Sequence, residues 1–410
     1  MFYFPVAPST APALVSAQAR GTVYAFLSRD NGSIARFRSD SGTGRLIALG
    51  DADTGFERRA DLVVSPNGHF LYACPAFDRS LDGYILGGEY TDDAIKARQL
   101  RPTPITVYAI GAGGALRAVQ TVTLPGPMGQ ILFRPDGKFV YALTIEGVFL
   151  LRTAPDGRLT YRSRIPLLSG MGLVDTAGER DAWWLTFAPN GRYLYNFRGD
   201  GFVDHKENYL YRYRVSLKTG RLSESGNQWF SGDYNVDKPG LPVSRDPGAV
   251  WCFVNRTAFV HGFLSGFWVC RVDDAGRIVP EKSRIALRQV AHNGNPFEPM
   301  LARHPTLPAV IYRGDASDPY TIWRVTAPGA GAKVGAFPSA FDASWHTSLA
   351  SPGGRFLYEV GGAYQKGASK RQVAAWALDE TGTRARLSAP PAALPDGTGT
   401  DFVFARVLEP

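Results

Sequence analysis

The sequence predicts an all-β chain folded as a seven-bladed β-propeller of four-stranded antiparallel blades, the ring being closed by the C-terminal strand joining the N-terminal blade. Three observations lead there. A proline-turn hairpin recurs almost unchanged; a third strand and a second, glycine-bearing turn follow each hairpin; and the two chain ends hold complementary parts of one further unit.

The hairpin is legible at Ser65 to Tyr72 (SPNGHFLY), Arg134 to Tyr141 (RPDGKFVY), Ala188 to Tyr195 (APNGRYLY) and Ser351 to Tyr358 (SPGGRFLY). An apolar run such as Leu62-Val63-Val64 or Gln130-Ile131-Leu132-Phe133 supplies a buried first strand. Pro then presets φ, Asn or Asp with Gly reverses the chain, and the Phe-Leu-Tyr run alternates as the second strand. Third strands follow at Ile105 to Ile110, Gly147 to Leu151, Tyr209 to Val215, Phe267 to Val272, Ile322 to Val325 and Val373 to Leu378. Turns such as Asp156-Gly157-Arg158-Leu159, Thr219-Gly220-Arg221-Leu222 and Asp274-Ala275-Gly276-Arg277-Ile278 lead into an outer fourth strand. Four strands in roughly 40 to 65 residues make a propeller blade.

Two units are degenerate: Ala249 to Val254 with Ala258 to Phe263, and Pro299 to His304 with Ala309 to Tyr312, where Pro305 and Pro308 keep the turn. The last unit is split. Val23 to Leu27, Ser33 to Phe37 and Arg45 to Leu49 read as second, third and fourth strands without a first, and Asp401 to Val407 is a lone strand. Pairing the two removes the exposed sheet edges that invite aggregation. Residues 21–410 are thus read as a single propeller domain, and residues 1–20 as an N-terminal arm or signal remnant. Ala17-Gln18-Ala19 has the form of an export cleavage site, but a basic start is lacking and Pro5, Pro8 and Pro12 interrupt the apolar segment. The arm points towards the periplasm or the exterior and leaves the cytoplasm open.

Composition is consistent with a packed core. Hydrophobic residues make up 44% of the 410 and charged residues 20%, the balance of a globular chain. The formal charge of +8 favours acidic partners, yet the Lys and Arg residues are scattered singly along the chain without a basic stripe. Nucleic-acid binding, which needs clustered cations, is therefore not expected. Cys74, Cys252 and Cys270 form no CxxC pair and read as small buried hydrophobes. No apolar run is long enough to span a bilayer.

The repeated turns resemble those of the lactonase-type seven-bladed propellers, the 6-phosphogluconolactonase and carboxymuconate-lactonizing relatives, over nearly the whole chain. That resemblance implies a seven-bladed ring and, for the enzymatic members, His, Glu and Arg side chains where first strands meet the central channel. Those members commonly carry a His-Pro-His stretch before the turn. The nearest match is His346, six residues ahead of the turn proline Pro352. The third unit reads Gly126-Pro127-Met128-Gly129-Gln130 instead, without histidine.

Blade geometry narrows the search for a site. Both glycine turns of each blade lie at one end of the strands, so the second-to-third-strand loops and the blade-to-blade connections share the other end. The long insertions fall there: Phe77 to Pro102, Gly199 to Asn208, Gly361 to Arg371, Leu167 to Arg180, Glu224 to Asp246 and Ala291 to Phe297. Loops of this length are tolerated mainly where they bind or cover something. Catalytic candidates at that mouth are His346 as general base with Glu298 or Asp246 as its carboxylate partner. Substrate-binding candidates are Arg59, able to hold an anion bidentately, with Asp61, Gln130, Asp181, Trp183, Trp345 and Asp401. Met128 and Trp251 lie on the same ring. Alternatives stand beside each: a hydrogen-bonded channel histidine for His346, backbone-capping acids for Asp181, Asp246 and Asp401, and inter-blade packing for Trp183, Trp251 and Trp345.

No cofactor and no metal site are expected. Gly111-Ala112-Gly113-Gly114 falls at a hairpin turn rather than before a helix, and Asp78, Asp82, Asp92 and Asp93 read as solvated loop charge. The sequence points to a propeller that binds a small, anionic or lactone-related molecule or a protein at its loop-rich mouth. The alternatives are a lactone hydrolase or lactonizing enzyme and a non-enzymatic envelope or surface propeller.

Overall fold

The computed structural model describes residues 21–75, 102–126, 128–144, 147–166, 168, 185–198, 209–229, 249–262, 266–286, 300–313, 319–341, 347–361 and 371–407. Blade 1 contains β1 (Thr22–Arg29), β2 (Ile34–Ser39) and β3 (Leu46–Ala52). Blade 2 runs through β4 (Ala60–Val64), β5 (Phe70–Pro75), β6 (Thr103–Ile110) and β7 (Leu116–Leu124), and blade 3 through β8 (Met128–Phe133), β9 (Phe139–Thr144), β10 (Gly147–Thr153) and β11 (Leu159–Ile165). Blade 4 comprises β12 (Thr186–Phe187), β13 (Tyr193–Arg198), β14 (Tyr209–Val215) and β15 (Leu222–Trp229). Blade 5 follows with β16 (Ala249–Val254), β17 (Thr257–Gly262), β18 (Gly266–Val272) and β19 (Ile278–Ala286). Blade 6 holds β20 (Met300–Arg303), β21 (Ala309–Arg313), β22 (Tyr320–Ala327) and β23 (Ala330–Phe337), and blade 7 holds β24 (Thr347–Ala350), β25 (Phe356–Gly361), β26 (Gln372–Leu378) and β27 (Ala385–Ala393). The chain ends in β28 (Thr398–Val407), which pairs with β1, so that blade 1 has the order β28-β1-β2-β3.

The ring is therefore closed by the tail, as the split repeat predicts. Tyr24 faces Ala405 and Phe26 faces Val403 in an antiparallel ladder. No helix among the described residues is long and apolar enough to cross a membrane.

The repeated turn forms for local reasons. Gly68, Gly137, Gly191 and Gly354 take φ of 78°, 71°, 64° and 70°, which a side chain disfavours. The Asn or Asp before three of them accepts the N–H two residues on: Asn67 from His69, Asp136 from Lys138 and Asn190 from Arg192, at 3.1, 3.1 and 2.9 Å. Gly111–Gly114 lies in the β6–β7 turn, and Asn255 makes the β16–β17 turn with φ 54°.

In blades 2, 3, 4 and 7 a second-strand tyrosine locks the blade to the next. Tyr72, Tyr141 and Tyr195 are buried on the second strands of blades 2, 3 and 4. Each packs on a first-strand phenylalanine of the following blade, Phe133, Phe187 and Phe253, at centroid distances of 4.8, 5.1 and 5.3 Å. Each also donates its O–H to the carbonyl of that blade's outer-turn glycine: Gly157 at 2.6 Å, Gly220 at 2.5 Å and Gly276 at 2.7 Å. Tyr358 closes the ring in the same way, stacking on Phe404 at 4.8 Å and hydrogen-bonded to Ser39 Oγ at 2.5 Å. Burial pushes the phenols up, Tyr358 to about 12, so these hydroxyls stay protonated at any ordinary pH. Blade 5 carries Phe259 at the tyrosine position, and Thr257 Oγ1 takes over by accepting the Gly329 N–H of the blade 6 turn at 2.9 Å.

Candidate functional site at the loop-rich face

The two ends of the ring differ in what fills them. At the end bearing both glycine turns, the inner turns abut: Gly137 lies against Pro66, and Gly191 against Arg134 and Pro135. Arg134 is fully buried there, bonded to Asp136 and to the carbonyls of Ser216 at 3.1 Å and Leu217 at 3.0 Å. His304 occupies the equivalent place in blade 6. Its ring shares a hydrogen bond with the Gly354 carbonyl at 3.0 Å and accepts the Leu307 N–H at 3.0 Å. Burial holds this imidazole below its ordinary value despite the Gly354 bond.

The opposite end is where site residues were expected, and the structure describes part of it. Between blades 1 and 2, Arg59 comes within 3.4 Å of Asp30, its side chain 15% exposed against 69% for the acid. Neighbouring bonds fix the position of both. Ser28 Oγ accepts the Ala60 N–H at 2.7 Å, the Asp30 N–H reaches the Gly397 carbonyl at 2.7 Å, and Arg29 joins Asp51 and the Asp396 carbonyl. Gly32 is obligatory: its φ is +83°, and an added Cβ would fall 1.9 Å from the Phe56 carbonyl oxygen. Three connections, 29–33, 53–59 and 395–398, are thereby welded into one wall.

Asp61 diverges from Arg59 although a single residue, Ala60, separates them. It lies opposite Cys74 in the β4–β5 ladder, on the same side of β4 as Val63, which packs with Cys74 and Met128 in the core between blades 2 and 3. Burial, reinforced by the Asp61 charge, pushes the Cys74 thiol well above its ordinary value. Gln130 faces the other way. Its amide donates to the Leu185 carbonyl at 3.2 Å and accepts the Leu185 N–H at 3.0 Å, so its part in the face is to set the start of blade 4. Arg59, Asp61 and Gln130 thus serve three different junctions and are not brought together.

His346, Trp345, Glu298, Asp246, Asp181 and Trp183 lie outside the described residues, as do the side chains of Asp401 and Trp251, whose backbones belong to β28 and β16. No group of three or more His, Cys, Asp or Glu that could hold a metal occurs among the described residues.

Sequence reasoning missed Glu359. This glutamate of β25 is fully buried. Its carboxyl accepts from Ser339 Oγ, from the Ala340 N–H at 3.0 Å and from Trp376 Nε1 at 2.9 Å, and these donors compensate a buried carboxyl that would otherwise be costly. Ser339 and Ala340 begin the connection from blade 6 to blade 7, so the carboxyl anchors the segment that continues to Trp345 and His346. The signal was present: an acid within the apolar run Phe356-Leu357-Tyr358-Glu359-Val360.

The sequence matches no protein-family model and no curated protein. Solved structures do match. A candidate 6-phosphogluconolactonase from Bacteroides uniformis is 15% identical, with 94% of this chain and 100% of that one covered and a TM-score of 0.59. The periplasmic gluconolactonase of Pseudomonas aeruginosa is 17% identical over 95% of this chain and 100% of its own, at 0.58. A protein from Lactobacillus plantarum gives 16% identity, 94% and 99% coverage and 0.56. At these identities the likeness concerns architecture, and it establishes that the chain has the fold of the lactonase-like seven-bladed propellers.

Proposed function

We propose that the loop-rich face binds a small carboxylate or lactone, with His346 as its polar centre and Arg59 at its edge. The carrying observation is the asymmetry of the ring: at the turn-bearing end inner turns interlock and tyrosines latch onto outer-turn glycines, whereas the connections that are long in the sequence join strands at their other ends. Arg59, offset by Asp30, supplies a cation there. The neighbours named as gluconolactonases support a lactone-related ligand. Hydrolysis of such a ligand would use His346 as the base for water, oriented by a carboxylate such as Glu298 or Asp246, with Asp181, Trp183, Trp345 and Asp401 shaping the pocket.

The test is a titration with glucono-lactone and its acid, with and without phosphate, run beside a hydrolysis assay on the wild type, His346→Ala and Arg59→Gln. The reading expects saturable binding weakened by Arg59→Gln, and any hydrolysis to be abolished by His346→Ala. Binding that is insensitive to both substitutions, or absent, overturns it. Saturable binding without turnover would favour a sensor or carrier over a lactonase.

A further inference from the structure

The cations scattered along the sequence are gathered in space, because the residue after the left-handed turn position is repeatedly basic and all these turns lie at one end of the ring. His69, Lys138, Arg192 and Arg355 follow Gly68, Gly137, Gly191 and Gly354 in the inner turns, and Arg256 follows Asn255. Arg45, Arg158, Arg221 and Arg277 follow Gly44, Gly157, Gly220 and Gly276 in the outer turns. All nine are exposed. Three have local acids: Arg158 with Asp156, Arg256 with Asp274 and Arg277 with Asp273, at 3.5, 2.7 and 2.6 Å. Among the described residues Arg45, Lys138, Arg192, Arg221 and Arg355 have no ion pair, and Asp136, the acid nearest Lys138, is held by Arg134.

We propose that this turn face docks on an anionic lipid surface. The turns are short, and several are pinned, Gly157, Gly220 and Gly276 by the tyrosine latches and Gly137 and Gly191 by the neighbouring inner turns, so the cations are presented on fixed turns at one end of the ring. Such an array suits a plane of headgroups better than a duplex, whose recognition uses an element inserted in a groove or aromatic platforms for bases. An apolar residue sits in one of these same turns: Leu217, in the β14–β15 turn beside Lys218, is 48% exposed, able to enter the headgroup layer. Docking by this face would leave the loop-rich mouth turned away from the bilayer.

Each cation close to an anionic leaflet strengthens partitioning about five-fold, and the effect falls off within a Debye length. The experiment is cosedimentation of the whole protein with phosphatidylglycerol–phosphatidylcholine vesicles and with phosphatidylcholine alone. It compares wild type with two variants of equal charge change: K138Q/R192Q/R221Q on the turn face, and R58Q/R162Q/K333Q on the rim and loop face, all exposed positions. Binding to the anionic vesicles only, lost between about 0.1 M and about 1 M salt, is expected. It should be weakened about 100-fold by the turn-face set and little changed by the other, with Leu217→Ala giving a further loss. Absence of anionic-vesicle binding, equal loss in both sets, or tighter turn-face-dependent binding to duplex DNA overturns the proposal. Circular dichroism of each variant shows that a loss is not one of folding.

Discussion

Gly220→Ala probes the joint between blades 3 and 4 with its own internal control. Gly220 has φ +75°, and an added Cβ would stand 2.8 Å from Phe139 Cδ1 and 3.0 Å from Leu150 Cδ1. Both neighbours are core residues at 7% and 1% exposure, so neither has room to swing aside. Two costs combine: about 1 kcal/mol for an L-residue in the left-handed region, and about 1–3 kcal/mol for overpacking. The same shift would disturb the Tyr141 hydroxyl, which donates to the Gly220 carbonyl at 2.5 Å. Gly113 isolates the first cost, since its φ is +64° and nothing lies within 4 Å of its added Cβ. Urea unfolding should therefore show Gly113→Ala destabilising by about 1 kcal/mol and Gly220→Ala by about 2–4 kcal/mol, with unchanged m-values. Equal losses for the two, or a larger one for Gly113→Ala, would refute the claim that outer-turn glycines are pressed against the preceding blade.

Tyr141→Phe should cost about 1–2 kcal/mol in the same assay, because it strands a buried carbonyl while keeping the ring. Glu359→Ala should cost about 3 kcal/mol or more, and Glu359→Gln distinctly less, since the alanine leaves the Trp376 and Ala340 N–H groups without an acceptor; the ordering of the two midpoints is the check. His304, with its folded-state pKa depressed by burial, favours the neutral ring. It contributes stability that is complete above the unfolded histidine value of about 6.5 and is lost as pH falls through the folded pKa. A pH series on wild type and His304→Gln should therefore diverge on the acid side and run parallel above neutrality. Cys74 should resist alkylation at mildly alkaline pH until denaturant is added, as its raised pKa keeps it a thiol; mass spectrometry of labelled peptides reads this out.

Much of the fold was legible because the repeat is local chemistry. Pro-Asn-Gly and Asp-Gly-Arg specify their own turns, and the unpaired strand at 401–407 required a partner that only the start of the chain could provide. The latches were not legible, since Tyr141 and Gly220 belong to motifs 79 residues apart and nothing short of the ring brings them together. Nor was the substitution in blade 5, where Thr257 takes over from Phe259. The site was less legible than the scaffold for a related reason: position at a strand's start shows that a residue lies near the mouth, but not which junction it serves. Gln130 turns to Leu185, Arg59 to Asp30 and Asp61 to the Cys74 side of its strand. The charge pattern reads as dispersed along the chain because the repeat spaces its basic residues one turn at a time.

All of these assignments depend on the tail strand lying beside the first strand of the head. Val23 and Arg406 are ladder partners, and antiparallel partners have Cα atoms about 4.5–5.5 Å apart, within the range a disulfide spans. Oxidation of the V23C/R406C double variant should therefore give a monomer whose peptide map contains a single peptide pair linking positions 23 and 406. A protein that stays reduced at those positions, or that crosslinks only between molecules, would contradict the closed ring.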